Sequence, residues 1–251
     1  MNKYTNSPYK KIPDELLTGY TLNGKIPIFD SFFNNVGLTQ SWTNSQIETS
    51  IKRLTPDNIQ KSKEGKTPYG HEPCLALLMA FEKHNFRNKS IAVIGSVTPW
   101  IESILINLKN KVTTIEYNVP ECEYKDLECK DYFNFFKTNK KPFDAIVSFS
   151  SVEHSGLGRY GDPLDPEGDI KAMDDIHSNL KNNGILIWGA PVGGDALGWN
   201  SHRIYGSIRL PLIFKKFKEI DWLGKAKEDL LKEPARISPV YQPIVVLRKN
   251  G

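Results

Sequence analysis

The segment Ile91-Ala-Val-Ile-Gly95 constrains this chain more than any other, because four consecutive apolar residues, mostly β-branched, run straight into a glycine. A strand that is apolar at every position has no face to offer water, so it belongs inside a parallel sheet covered on both sides. Downstream, residues 99–108 set Trp100, Ile101, Ile104, Leu105 and Leu108 along one helical face, and residues 112–117 form a second strand. Residues 143–149 predict a further strand, residues 169–180 an amphipathic helix, and residues 184–190 another buried strand entered through an Asn182-Asn183-Gly184 turn. Residues 210–217 read as helix, 219–223 as extended and 243–248 as strand. This alternation predicts an α/β fold with a mostly parallel central sheet and helices on both faces.

Upstream, residues 1–65 are rich in Asn, Lys, Ser and Thr, with apolar clusters only at 26–33 and 47–54, which reads as a loosely organised cap or arm. Residues 72–84 then repeat Leu75, Leu78, Met79 and Phe81 near helical spacing, with Pro73 in the first turn; these side chains are expected in the core. The preceding Thr67-Pro-Tyr-Gly-His-Glu72 segment either caps that helix or folds over a site as a lid, with Tyr69 or His71 inward. A chain of 251 residues suits one α/β domain at 71–251 with an N-terminal extension at 1–70.

Several classes are excluded by composition. With 39% hydrophobic and 25% charged residues, neither disorder nor a fibrous architecture is indicated. No apolar run approaches the roughly 20 residues that cross a bilayer, and the polar start lacks a secretory core. The net charge of +4 is scattered and forms no stripe for nucleic acid. Cys74, Cys122 and Cys129 match no metal or disulfide framework, so a cytoplasmic setting is expected.

In doubly wound sheets a ligand lies outside the carboxyl ends of the strands, where a glycine admits close approach and an acid on the next strand accepts from ribose hydroxyls. Gly95 and Glu116 stand about 20 residues apart, the spacing of those two positions. The loop Gly95-Ser-Val-Thr-Pro-Trp100 is not GxGxxG, and lacks the glycines that cradle a pyrophosphate. A nucleoside ligand without phosphates, such as S-adenosylmethionine, needs less. The plainer alternative is that Gly95 is only a turn and Glu116 a solvated strand end.

The order IAVIGSVTPWIE, TTIEYN, FDAIVSFSSVEHSGLGRYGDPLDPEGD and GILIWGAPVG resembles class I S-adenosylmethionine-dependent methyltransferases, with a Rossmann-like fold, over residues 86–248. More closely it resembles a methyltransferase-like domain family of unknown function found in nematodes and in bacterial surface-polysaccharide gene clusters. The resemblance implies S-adenosylmethionine as cofactor, contacted by Gly95, Ser96, Glu116, Ser150, Ser151 and Glu153. It also implies methyl transfer to oxygen or nitrogen of a small polar acceptor, such as a sugar, a sugar phosphate or a nucleotide-linked glycan precursor.

The acceptor site is expected in two polar loops. After the strand at 143–149 comes Ser150 to Asp169, in which His154 is the first candidate for a general base, since neutral imidazole is available near neutral pH. Glu153 would orient that ring or touch cofactor, and Arg159, Tyr160 and Asp162 would bind acceptor. Alternatively, His154 caps a turn, and Asp162, Asp165 and Asp169 are turn or N-cap residues. Glu153, His154, Asp162 and Asp165 include metal-type donors, but their spacing selects no metal. After the strand at 184–190, Asp195, Asn200, His202 and Arg203 would bind sugar hydroxyls or phosphate, with Trp199 or Tyr205 as an apolar wall and His202 as the competing base. The alternative makes Trp199 and Tyr205 packing residues and Arg203 a surface charge. Two other functions remain: an NAD-linked or nucleotide-sugar-modifying Rossmann enzyme, against which the glycine-poor loop and the lack of a Tyr-x-x-x-Lys pair argue, and a non-catalytic adenosine-binding protein.

Overall fold

The computed structural model describes residues 9–33, 40–61, 67–139 and 141–250. Expectations for 1–8, 34–39 and 62–66 of the N-terminal segment lie outside the described residues. The central sheet contains β1 (Ser90–Ile94), β2 (Lys111–Glu116), β3 (Leu127–Asp131), β4 (Phe143–Phe149), β5 (Leu180–Gly189), β6 (Phe217–Leu223) and β7 (Ile244–Lys249). Their spatial order is β3-β2-β1-β4-β5-β7-β6, with β7 antiparallel to both neighbours and the other pairs parallel. The chain lays β1 to β3 outward in one direction and then returns to put β4 on the other side of β1. The carboxyl ends of β1 and β4 therefore flank the crevice at which such sheets bind ligands.

The β1 run is apolar throughout because it faces two cores. Ile91 and Val93 pack with Leu77, Phe81, Ile104 and Leu105, whereas Ala92 and Ile94 pack with Met173, Ile176 and Trp188. In chain order the helices include α1 (Asp14–Tyr20), α2 (Asn44–Arg53), α3 (Pro56–Lys61), α4 (His71–Lys83), α5 (Trp100–Asn107), α6 (Tyr132–Thr138), α7 (Gly168–Asn179) and α8 (Leu210–Phe214). Helices α2 to α5 contribute to the first core, and α6 to α8 to the second.

Residues 40–61 are not the loose arm expected. Trp42, Ile47, Leu54 and Ile59 are buried in the same cluster as α4 and α5. A Thr43–Gln46 capping box starts α2, and the Asn107 side chain donates to the Ile51 and Leu54 carbonyls at 2.8 and 3.0 Å, tying the end of α2 to α5. The part before residue 34 belongs elsewhere: Tyr20 of α1 and Ile26 pack with Leu157, Leu164, Leu197 and Trp199, and Tyr9, Ile12, Leu16, Leu22 and Phe32 lie against that cluster. Three local expectations also shift. In α4, Leu77 is buried and Met79 is exposed, so the helix turns its apolar face differently from the reading above. Residues 182–184 lie within β5, not before it: Phe143 pairs with Leu180 and Ala145 with Ile185, so the Asn-Asn-Gly residues are absorbed as a bulge with Asn183 at φ +60°. Phe217 opens β6 and does not extend α8.

Candidate active site

The first loop is closed by contact. Gly95 adopts φ +77°, and a Cβ built there would sit 2.0 Å from Ser151 Oγ and 2.2 Å from Ser151 Cβ, so only glycine lets the loops after β1 and β4 meet. The Ser96 amide donates to one Glu116 carboxylate oxygen and the Tyr117 amide to the other, at 3.1 Å for the latter. Both oxygens retain lone pairs, and Glu116 borders the main cleft. Burial pushes its carboxyl up to about 6, against the pull of those two amides. The Ser96 hydroxyl is held by Glu102 Oε2 at 3.0 Å and lies 3.2 Å from the Thr98 carbonyl, so its proton is spent on building the loop while the residue lines the cleft. Thr114 donates to the other Glu102 oxygen at 2.9 Å, and burial pushes that carboxyl up to about 7. Sequence reasoning missed Glu102; its trace is a single acid in the apolar first turns of α5.

A cleft of about 870 Å³ opens from this loop across the sheet edge. Its apolar wall is Tyr69, Trp100 and Phe149, with Phe149 edge-on to Tyr69 at 5.0 Å and to Trp100 at 5.6 Å between ring centroids. Tyr69 thus lines the cleft, while His71 does not. Ser150, Ser151, Glu153, His154, Arg159 and Tyr160 enter from the loop after β4, and Ser201 and His202 from the segment after β5.

Glu153 and His154 share the short turn Val152–His154. Glu153 is buried, and neither carboxylate oxygen makes a well-formed hydrogen bond. Burial pushes its carboxyl up to about 7, opposed more weakly by the adjacent Ser150 hydroxyl, Ser151 amide and Arg159 charge. His154 Nδ1 lies 2.6 Å from the Ser201 carbonyl oxygen, which can only accept, so Nδ1 carries the proton and Nε2 the lone pair. That Nε2 is 3.7 Å from Glu153 Oε1. Burial, then the Arg159 charge, hold the imidazole down at about 3, which keeps it neutral. His202 Nδ1 contacts the Ser201 hydroxyl at 2.7 Å, and burial lowers its pKa as well. Ser201, which sequence reasoning did not single out, thus orients both histidines.

Four acceptor-binding assignments are corrected, because those side chains are spent on the backbone. Asp162 accepts from the Gly156, Gly158 and Tyr160 amides at 2.7, 3.2 and 3.2 Å, stapling its own loop. Asp195 accepts from the amides of Gly206, Ile208 and Arg209 at 3.0, 2.8 and 2.9 Å, just before α8. Asn200 exchanges hydrogen bonds with the Phe33 main chain at 2.6 and 2.9 Å. Arg203, far from being a surface charge, is buried; it donates to the Ser155 carbonyl at 2.6 Å and faces Asp169 at 3.6 Å. The wall expected from Trp199 and Tyr205 is packing: the Trp199 indole donates to the Tyr9 carbonyl at 2.7 Å, and the Tyr205 hydroxyl to Asp169 at 3.1 Å. Asp169 does not cap α7; it lies in its first turn and receives Arg209 through two bonds of 2.8 and 2.5 Å. Among the described residues no three His, Cys, Asp or Glu side chains converge as a metal set.

The fold is similar to that of 1,6-didemethyltoxoflavin-N1-methyltransferase from Burkholderia thailandensis, solved with 1,6-didemethyltoxoflavin and S-adenosylhomocysteine, at TM-score 0.52 and 12% identity over 69% of this chain and 76% of that one. N-methyltransferase NodS from Bradyrhizobium japonicum WM9, solved with S-adenosylhomocysteine, gives TM-score 0.49 and 12% identity over 82% of this chain and 100% of that one. No curated protein matches the chain. Sheet order, crevice and the first of these similarities define a class I S-adenosylmethionine-dependent methyltransferase fold. By sequence, the chain belongs to the family described as Caenorhabditis protein of unknown function, DUF268, whose model matches residues 88–238.

Proposed function

We propose that the chain is an S-adenosylmethionine-dependent methyltransferase acting on oxygen or nitrogen of a small polar acceptor. The observation that carries this reading is Glu116, held at the tip of β2 by the Ser96 and Tyr117 amides with lone pairs left over at the edge of the cleft. A ribose offers two adjacent hydroxyls to such a carboxylate. Gly95 and Ser151 form the floor of that end, and Trp100 and Phe149 the apolar wall. When bound, S-adenosylmethionine supplies an electrophilic methyl group. Across the cleft, the neutral His154 ring, fixed by the Ser201 carbonyl, holds Nε2 ready to take the acceptor proton, and Glu153 at 3.7 Å stabilises the imidazolium that results.

The acceptor we favour is a sugar, sugar phosphate or nucleotide-linked precursor of a surface polysaccharide. Support comes from the polar side of the cleft and from the family resemblance. From the N-terminal segment, Ser31, Phe33, Gln40 and Tyr69 reach the cleft and act as its cap. The three free cysteines fit a reducing, cytoplasmic setting, and among the described residues no helix is long and apolar enough to cross a membrane. Titration calorimetry with S-adenosylmethionine, S-adenosylhomocysteine and NAD tests the reading. Binding of the first two alone is expected, with a loss of at least about tenfold in Glu116→Ala. Binding of NAD alone, or of none of the three, overturns it.

A further inference from the structure

Among the described residues that line the cleft, Arg159 is a cation that makes no ion pair. The buried arginines Arg203 and Arg209 both face Asp169. Among the described residues Arg159 has no carboxylate partner; its Nη1 donates to the Ser201 carbonyl at 3.2 Å, and its Nε is buried with nothing to bond. The guanidinium lies over the Phe33 ring at 4.6 Å and the Tyr160 ring at 5.1 Å, which fixes the direction of its remaining donors. Beside it on the same cleft, His202 has a second buried, unbonded nitrogen, Nε2. The Ile237 carbonyl lies near that ring and favours its protonated form, without completing a hydrogen bond. In the tautomer in which the Ser201 hydroxyl donates to Nδ1, Nε2 carries the hydrogen and adds a neutral donor on the same cleft as the guanidinium.

A permanently charged fork with free N–H groups, flanked by a second donor, is the arrangement that recognises a planar or tetrahedral oxyanion. We propose that Arg159, with His202 at its flank, forms an oxyanion subsite for a phosphate or carboxylate carried by the acceptor. The inference rests on the acceptor reading above and narrows it to anionic acceptors. The subsite also bears on the nearby groups: Arg159 is the leading charge that lowers the His154 pKa and also offsets part of the burial-driven rise at Glu153, so an anion placed on Arg159 relieves its field at both groups.

The test is calorimetric titration of inorganic phosphate, acetate, glucose, glucose 1-phosphate and glucuronate into the full chain saturated with S-adenosylhomocysteine, at constant ionic strength. Glucose 1-phosphate or glucuronate should bind at least about tenfold more tightly than glucose, and whichever of the two wins identifies phosphate or carboxylate as the source. Arg159→Met should abolish that preference, and Arg159→Lys should retain only part of it because the fork is lost. In the unsubstituted chain, the preferred anion should protect Arg159 from phenylglyoxal, read by peptide mass spectrometry, which needs no variant to fold. Equal binding of glucose and its anionic counterparts, a preference that survives Arg159→Met, or absence of protection overturns the proposal. So does a loss confined to S-adenosylhomocysteine affinity in Arg159→Met, because the guanidinium then serves the cofactor's own carboxylate. If the chain binds no S-adenosylhomocysteine, the methyltransferase reading fails, while the same titrations on the free chain still decide the oxyanion subsite.

Discussion

Gly95→Ala isolates the contact on which the site is built. Two costs can be separated. The backbone at φ +77° is strained for any residue with a Cβ, at about 1–2 kcal/mol. The new Cβ would also lie 2.0 Å from Ser151 Oγ and 2.2 Å from Ser151 Cβ, so β1 and β4 must part, at a further ~1–3 kcal/mol typical of overpacking. Together, a loss of about 2–5 kcal/mol is expected against a usual domain stability of about 5–15 kcal/mol. Ser151→Gly removes the offending atoms and leaves only Cα at 3.4 Å, an ordinary contact. In the double variant the overlap vanishes and the backbone strain stays. Urea denaturation of the four proteins should give a coupling energy of about 1–3 kcal/mol in favour of the double variant, at unchanged denaturant slope. Additivity within about 0.5 kcal/mol would refute the argument that the two loops are locked by this contact.

Asp169→Asn leaves Arg209 and Arg203 facing a neutral amide in the core and should cost about 3–5 kcal/mol in urea denaturation. Burial raises the Asp169 pKa, but Arg203 and Arg209 outweigh it and hold the carboxyl below its ordinary value. Its contribution is thus present above the unfolded aspartate pKa and lost as pH falls through the native one, so the variant should show a flatter acid limb. Glu102 has the opposite sign: raised by burial from 4.5 to about 7, it keeps a proton that the unfolded chain releases, so stability falls as pH rises across that window, by up to about 1.4 kcal/mol per pH unit. Glu102→Gln should lack this slope, and parallel stability–pH curves for the two proteins would contradict it. His154→Gln should lower turnover about 10²- to 10⁴-fold with S-adenosylhomocysteine affinity unchanged; full turnover would transfer the base to His202.

What the sequence reveals about this fold divides along physical lines. Strands β1, β4 and β5 are legible because both faces are buried and their composition has no alternative. Strand β3 escapes because Leu127-Glu-Cys-Lys-Asp131 is a short edge strand with one residue fully buried, and charged edges resemble loop. Gly95 and Glu116 are legible because their separation is set by one βαβ unit. The polar loops show their residue types but not their directions. Asp162 and Asp195 satisfy amides of glycine-containing loops, and Asn200 satisfies the Phe33 main chain, demands invisible before the chain is folded. The aromatic wall is equally hidden, since Tyr69, Trp100 and Phe149 come from three separate segments.

The same burial that misdirects a sequence reading explains how Glu153 and His154 work as a pair. Separately, each looks unsuited: one carboxyl pushed up to about 7, one imidazole pushed down to about 3, both chiefly by desolvation. Desolvation penalises each charged form on its own, yet it strengthens the attraction between the two charges once both are present. At rest, Nε2 is an unprotonated acceptor facing an acid that is partly protonated at neutral pH. When a proton arrives on Nε2, an imidazolium appears 3.7 Å from Glu153 Oε1, and its charge favours ionisation of that carboxyl. The proton affinity of the ring in the working state is therefore set by the pair and by whatever occupies Arg159. An anion on that guanidinium cancels the repulsion felt by the imidazolium, so an acceptor of the proposed class would strengthen the base that deprotonates it.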